Sequence, residues 1–257
     1  MIRTSWAAGA LAVAVSISGP ICRGDNAMPI PAADRQAIEN SLGQGVLGES
    51  LPAPVISDPS RYMELLPLVR NFRIVQGFHA GQEEKFQLLA DPPEAVRKRW
   101  RYLAGEDEAG FLEVQPDGSL VLTGVQDRQS GALTRYDPAE PFLIKGMAPG
   151  TEQKLRMSVR VLDADEPGRV AHRGMLDVGY RYVGSYRLAL PGGTYDALLL
   201  KSTYRGRVGP AELEDTQYRF FSPGVGLVAA IEHRVVSAFL LYRTDTTIAR
   251  VLADRVE

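Results

Sequence analysis

The stretch that decides the fold is Gly179–Leu190, GYRYVGSYRLAL, followed by Pro191-Gly192-Gly193 and then Thr194–Arg207, TYDALLLKSTYRGR. In the first run Tyr180, Tyr182, Tyr186, Leu188 and Leu190 recur at even spacing, with Arg181, Val183, Ser185 and Arg187 between them. Side chains alternate across a strand with a period of two, so this reads as a half-buried strand carrying its aromatics on one face. Pro-Gly-Gly makes a turn and a second β-rich run follows, which predicts an antiparallel hairpin.

The same grammar extends in both directions. Leu155, Met157, Val159 and Val161 alternate with Lys154, Arg156, Ser158 and Arg160, and the run stops at Asp165-Glu166-Pro167-Gly168. Ile231, His233 and Val235 alternate with Glu232, Arg234 and Val236, and Trp100, Tyr102 and Ala104 with Arg99, Arg101 and Leu103. Pro116-Asp117-Gly118 joins Phe111-Leu112-Glu113-Val114 to Leu120-Val121-Leu122 as another hairpin. Helical pattern is scarce. A short helix is expected over Ala32–Leu42, with Asp34 near its start and Gly43 as its stop. A helical turn is expected to begin at Glu94–Trp100, and a terminal helix over Thr246–Val256. No fixed-period repeat marks a propeller or solenoid. The expected fold class is all-β: a single curved antiparallel sheet forming a half-barrel or barrel-like domain, with a two-sheet sandwich as the alternative.

Composition sets the outer limits. The chain has 257 residues, 45% hydrophobic and 23% charged, with a formal charge of −2. That balance is globular and excludes wholesale disorder and a strongly basic nucleic-acid binder. Met1–Ala27 reads as a secretory signal: Arg3 precedes the apolar run Ala7–Ile17, which is too short to span a bilayer, and small residues precede a cut after Ala27. Its removal takes Arg3, Arg23 and Asp25, so the charge of −2 becomes −3. The one cysteine, Cys22, leaves with it; Ile21 is too bulky for a lipoprotein signal, so a lipid anchor on Cys22 is not expected. Residues 28–60, with Pro29, Pro31, Pro52, Pro54 and Pro59 and Gly43, Gly45 and Gly48, read as an arm or linker before one β-rich domain over 61–257.

No catalytic signature stands out. His79, His172 and His233 are scattered, with no HxH or HExxH spacing, and no Gly-x-Ser-x-Gly elbow or Walker loop occurs. Gly224-Val225-Gly226-Leu227-Val228-Ala229 matches a dinucleotide fingerprint, but Val228–Val236 reads as a strand, so the glycines make a hairpin turn after Pro223. Glu106-Asp107-Glu108, Asp163-Asp165-Glu166 and Glu212-Glu214-Asp215 read as solvated charges in or beside turns. Arginine outnumbers lysine 24 to 5; Arg97, Arg99, Arg101, Arg205 and Arg207 sit at strand spacing and predict basic stripes on outer faces. No catalytic residue, metal ligand or cofactor is assigned.

Aromatics are more suggestive. Seven of the ten tyrosines lie between Tyr180 and Tyr242. Core packing accounts for such residues on a large sheet; the functional alternative is a groove in which Tyr180, Tyr182, Tyr186, Tyr218 and Phe220 line a ligand. The segments Gly184-Ser185-Tyr186, Pro191-Gly192-Gly193-Thr194-Tyr195-Asp196-Ala197 and Tyr218–Val228 resemble a family of exported, β-rich bacterial proteins of unknown function that pairs a PxGxYxA hairpin with a YxFxxPGxGxV hairpin. The resemblance covers Met175–Tyr242, implies a periplasmic curved sheet and brings no catalytic residues with it; periplasmic lipoprotein-carrier half-barrels are a looser analogy of architecture. The expected function is binding of an apolar or amphipathic ligand, or assistance in envelope assembly. The alternatives are an exported hydrolase with a non-local site and an interaction module docking through its arm. Expected partners are a lipid or other amphipathic ligand, or an envelope protein, with no nucleic acid and no membrane span after signal removal.

Overall fold

The computed structural model describes residues 27–90, 98–238 and 242–254. The chain begins with α1 (Ala32–Leu42) and β1 (Leu47–Leu51). Twelve consecutive strands follow: β2 (Leu68–Gln76), β3 (Glu83–Ala90), β4 (Arg99–Ala104), β5 (Glu108–Val114), β6 (Leu120–Asp127), β7 (Ala132–Leu143), β8 (Glu152–Asp163), β9 (Val170–Leu190), β10 (Gly193–Val208), β11 (Ala211–Ser222), β12 (Gly226–Ala238) and β13 (Tyr242–Leu252). Each of the twelve pairs antiparallel with the next, and β13 returns to β2 with Ala249 opposite Gln76 and Leu252 opposite Phe72. The sheet is therefore a closed up-and-down barrel, not a sandwich, in which every ring strand has a partner on both sides. β1 stands outside the ring: β8 covers β9 up to Arg181, and β1 continues along the same edge with Leu51 opposite Ser185 and Leu47 opposite Leu188.

Local chemistry explains the turns. Asp117 accepts from the backbone N–H of Ser119 at 2.8 Å between β5 and β6, and Gly118 takes φ +93°. The Gly224-Val225-Gly226 stretch is the β11–β12 turn, with both glycines in the left-handed region, and a strand follows it as read from sequence. Helix α1 spans the expected residues.

Two expectations are overturned. Thr246–Val256 was expected to be helical, yet residues 242–252 form β13. Thr244, Thr246, Thr247, Ile248 and Val251 are β-branched, and pairing on both sides, to β12 and β2, outweighs a weak helical pattern. The tyrosines of β9 also do not share one face. Leu199 pairs with Gly184 and the next residue, Leu200, pairs with Tyr182, so Val183 is a bulge. One extra residue reverses the alternation beyond it. Of the helical turn expected at Glu94–Trp100, Arg99 and Trp100 belong to β4; its residues up to 97, and the signal segment up to residue 26 with Cys22, lie outside the described residues.

The barrel wall is charged outside. Cross-strand pairs Arg156–Asp177 at 3.6 Å, Arg205–Glu214 at 2.8 Å and Arg207–Glu212 at 2.5 Å line β8–β11. Such pairs add little stability, but a membrane barrel would carry an apolar band there. No helix among the described residues is long and apolar enough to cross a membrane.

Besides the β1 ladder, the arm packs against this wall in two further ways. Helix α1 lies over β12, β13 and β2, burying Ile38 and Leu42. Asp34 in its first turn accepts from Lys201 Nζ at 2.6 Å and Tyr218 Oη at 2.8 Å. Residues 52–67 then form a strap across one mouth. Ile56 donates to the Met147 carbonyl at 3.0 Å and accepts from the Gly146 N–H at 2.7 Å; the Gly224 N–H donates to the Arg61 carbonyl at 2.7 Å.

Candidate functional site

The lumen is divided along its axis. Near the strap it is solid, with Phe72, Leu88, Leu112, Leu143 and Phe221 packed with Ile56 from the strap. Two tyrosines tie this plug to the wall: Tyr180 Oη donates to the Phe142 carbonyl at 2.7 Å and Tyr182 Oη to the Pro54 carbonyl at 3.1 Å.

Below the plug lies a belt of buried charge. Glu140 accepts from Tyr204 Oη at 2.6 Å and from both terminal nitrogens of Arg219 at 3.0 Å. β7 delivers Glu140 through an irregularity: Leu122 of β6 pairs with Glu140 and Gly124 with Arg135, leaving the intervening residues of β7 unmatched. Bulges of this kind re-aim a side chain. Burial disfavours the charge on Arg219, but Glu140 outweighs it and holds its pKa above the ordinary arginine value. The Arg219 guanidinium also sits 5.0 Å above the Phe142 ring. Next in the belt, Asp215 accepts from Arg234 Nε and Nη2 at 3.1 Å and from Gln217 Nε2 at 3.1 Å, and Arg234 contacts Glu232 as well. Further round, Arg250 meets Glu84 at 2.8 Å.

Asp215 was read from sequence as part of a solvated acidic turn. It lies within β11, facing Arg234 of β12 across the ladder, and is buried. Burial, reinforced by Glu232 and opposed by Arg234, raises its pKa from 3.8 to about 6. A group with a raised folded-state pKa stabilises fully below the unfolded value, and that contribution is lost as pH rises through the folded value. The stability of the protein relative to Asp215→Asn is therefore expected to fall between pH 4 and pH 7, by the order of 2 kcal/mol. Paired thermal melts at stepped pH read this directly; a constant difference between the two proteins would refute it.

A cavity of about 320 Å³ occupies the lumen under the plug. Phe72, Phe86, Tyr102 and Phe142 form its apolar side, with Phe86 and Tyr102 stacked at 5.5 Å. Glu140, Arg219, Glu232, Arg234 and Arg250 form its polar side. Asp107 and Asp127, at the β4–β5 and β6–β7 turns, also line it, so it reaches the mouth opposite the strap. Gly110 makes room for the Tyr102 ring: a Cβ there would lie 2.0 Å from it.

All five residues named from sequence are buried, but they are not brought together. Tyr180 and Tyr182 point into the lumen, in the plug. Tyr186, beyond the bulge, shares the outer face with Tyr218 and Phe220, beneath α1. None of the five lines the cavity. The residues that do line it were missed, although Asp137-Pro138-Ala139-Glu140-Pro141 carried a signal: prolines within a strand mark a bulge or an edge. His233 pairs with Asp245 at 2.8 Å on the exposed side of the wall, and no group of three metal-ligating side chains occurs among the described residues.

Neither a protein-family model nor a curated protein matches this chain. Two solved structures resemble it. One, from Bacteroides fragilis, is named for its expected export and YMCC-like fold; it is 12% identical, with a TM-score of 0.41, over 74% of this chain and 95% of its own. The other, from Parabacteroides distasonis, is named as a candidate lipoprotein; it is 14% identical, with a TM-score of 0.34, over 72% of this chain and 93% of its own. Likeness this low leaves function to be argued from the chain's own geometry.

Proposed function

We propose that the protein is exported and holds a small amphipathic molecule in its barrel lumen, as a binding protein and not as an enzyme. The observation that carries this reading is the cavity, aromatic on one side and charged on the other, built on rigid strands of a closed barrel. Small-molecule sites are concave, largely preformed and mostly apolar with a few convergent polar groups, and occupy about 300–1,000 Å³. This cavity sits at the lower end of that range. Export is supported by the basic start, short apolar run and small-residue cut of residues 1–27. A serine-, cysteine- or histidine-dependent hydrolase is disfavoured because the cavity lining offers none of those side chains, and two of its carboxylates, Glu140 and Glu232, are ion-paired to Arg219 and Arg234.

The full chain, produced with its signal and purified gently, is expected to show a bound small molecule in native mass spectra. Ala230 lines the cavity from β12. Ala230→Leu fills part of that space and is expected to reduce the bound fraction at least tenfold while the protein still melts cooperatively. An unliganded wild-type protein, or equal loading of the two, would reject the reading.

A further inference from the structure

The charges of the cavity do not balance, and the imbalance has a direction. Five carboxylates line it (Asp107, Glu108, Asp127, Glu140 and Glu232) against three guanidiniums, Arg219, Arg234 and Arg250. All three arginines are already engaged: Arg219 by Glu140, Arg234 by Asp215 and Glu232, and Arg250 by Glu84. Asp215 and Glu84 thus add two further carboxylates behind the lining. Asp107, Glu108 and Asp127 take hydrogen bonds only from neutral donors: Gln129 Nε2 to Asp107 at 3.0 Å, Tyr102 Oη to Glu108 at 3.0 Å, and Ser130 Oγ to Asp127 at 2.7 Å. No arginine or lysine among the described residues forms an ion pair with these three.

Behind the lining, Asp215 adds to the same acidic balance. Asp215 stands on the lumen-facing side of β11, opposite the cavity-lining Arg234, and its carboxylate is almost fully buried. Its Oδ1 has no hydrogen-bond partner. A buried carboxylate oxygen left without a donor is costly, and here it lies behind a cavity wall already rich in acid. Beside the acid, the lining also carries the stacked rings of Phe86 and Tyr102, and aromatic rings attract cations as well as apolar groups.

We propose, resting on the binding reading above, that the ligand class is a small organic cation: a protonated amine directed at Glu108 and Asp107, with its apolar body against Phe72, Phe86 and Tyr102. The acidic excess supplies the charge complement, and the rings accept the remainder of the molecule. An anionic amphipath would meet the same carboxylates without a free arginine to receive it.

The test uses three probes of one shape: 2-phenylethylammonium, 2-phenylethanol and phenylacetate, titrated into the full chain by calorimetry at pH 7 and low salt. The ammonium probe is expected to bind at least tenfold more tightly than the other two. Glu108→Gln and Asp107→Asn, both at the mouth, are each expected to weaken the ammonium about tenfold and leave phenylethanol unchanged; two separate variants guard against one that misfolds. Equal or tighter binding of the alcohol or the acid overturns the cation assignment and leaves the binding reading standing. No binding of any probe overturns the assignment too, and a molecule that still co-purifies would then identify the true class.

Discussion

Glu140→Ala is expected to destabilise the protein by about 3–5 kcal/mol, the range found when one partner of a buried ion pair is removed. The carboxylate is 4% exposed and the Arg219 side chain 14%. A single oxygen, Glu140 Oε1, takes both the Tyr204 hydroxyl and the two guanidinium nitrogens. Alanine leaves the guanidinium inside the barrel with only Gln217 and the Phe142 ring for company, and leaves the Tyr204 hydroxyl without its acceptor. For a chain of this size, 1 kcal/mol moves Tm by about 2–4 °C, so a melt should shift by about 10 °C. Replacing both partners, Glu140→Leu with Arg219→Met, is expected to recover most of the loss, because the penalty belongs to the orphaned charge more than to the missing pair. A Tm within 2 °C of wild type for the single variant would mean that water already reaches Arg219 and that the belt is wet.

The residues of that belt show where sequence stops being informative. Alternation says that the two faces of a strand differ, but not which face is inside. In β11, Tyr218 and Phe220 look like the inner face and Asp215, Gln217 and Arg219 like the outer. The order is reversed because α1 covers the outer wall, and the lumen at this height is polar. In β9 a single inserted residue, Val183, moves Tyr186 from the expected face to the opposite one. By contrast, Pro191-Gly192-Gly193, Pro116-Asp117-Gly118 and Pro223-Gly224 mark their turns correctly, and Gly43 marks the end of α1. Turn chemistry is local and legible in a short window. Ring closure, the strap and the meeting of Glu140 with Arg219, 79 positions apart in sequence, are not local. The sequence therefore predicted a curved antiparallel sheet, and left open whether it closes and what it encloses.

The second large effect is expected at Asp34, which latches the arm to the barrel. Its carboxylate is 6% exposed and accepts from Lys201 Nζ and Tyr218 Oη, and it also sits in the first turn of α1, where the helix dipole favours a negative charge. Asp34→Ala removes all three contributions. Hydrogen bonds to a charged group are worth about 1.5–3 kcal/mol each. Lys201 retains a path to solvent, being 25% exposed, so the net loss should lie near 3 kcal/mol and not at the sum. What that loss does depends on whether the arm opens alone. Local units of a fold open with their own free energies, and among the described residues α1 itself meets the ring through side-chain packing and this latch, with the β1–β9 ladder anchoring the chain just after it. We therefore expect native-state trypsin to cleave at Arg35 at least tenfold faster in Asp34→Ala, whereas Asp34→Asn, which keeps an oxygen acceptor for Tyr218, should show a smaller rise. Calorimetry separates the two ways this can happen. Faster cleavage with an unchanged main transition means that the helix lifts off a barrel that stands by itself. Faster cleavage with a lower Tm means that the arm is part of the cooperative unit, because release bares Tyr186, Phe220 and Ile231 to water. Unchanged cleavage and unchanged Tm would show that Ile38 and Leu42 hold the helix unaided, and that the buried Asp34–Lys201–Tyr218 cluster serves something other than the latch.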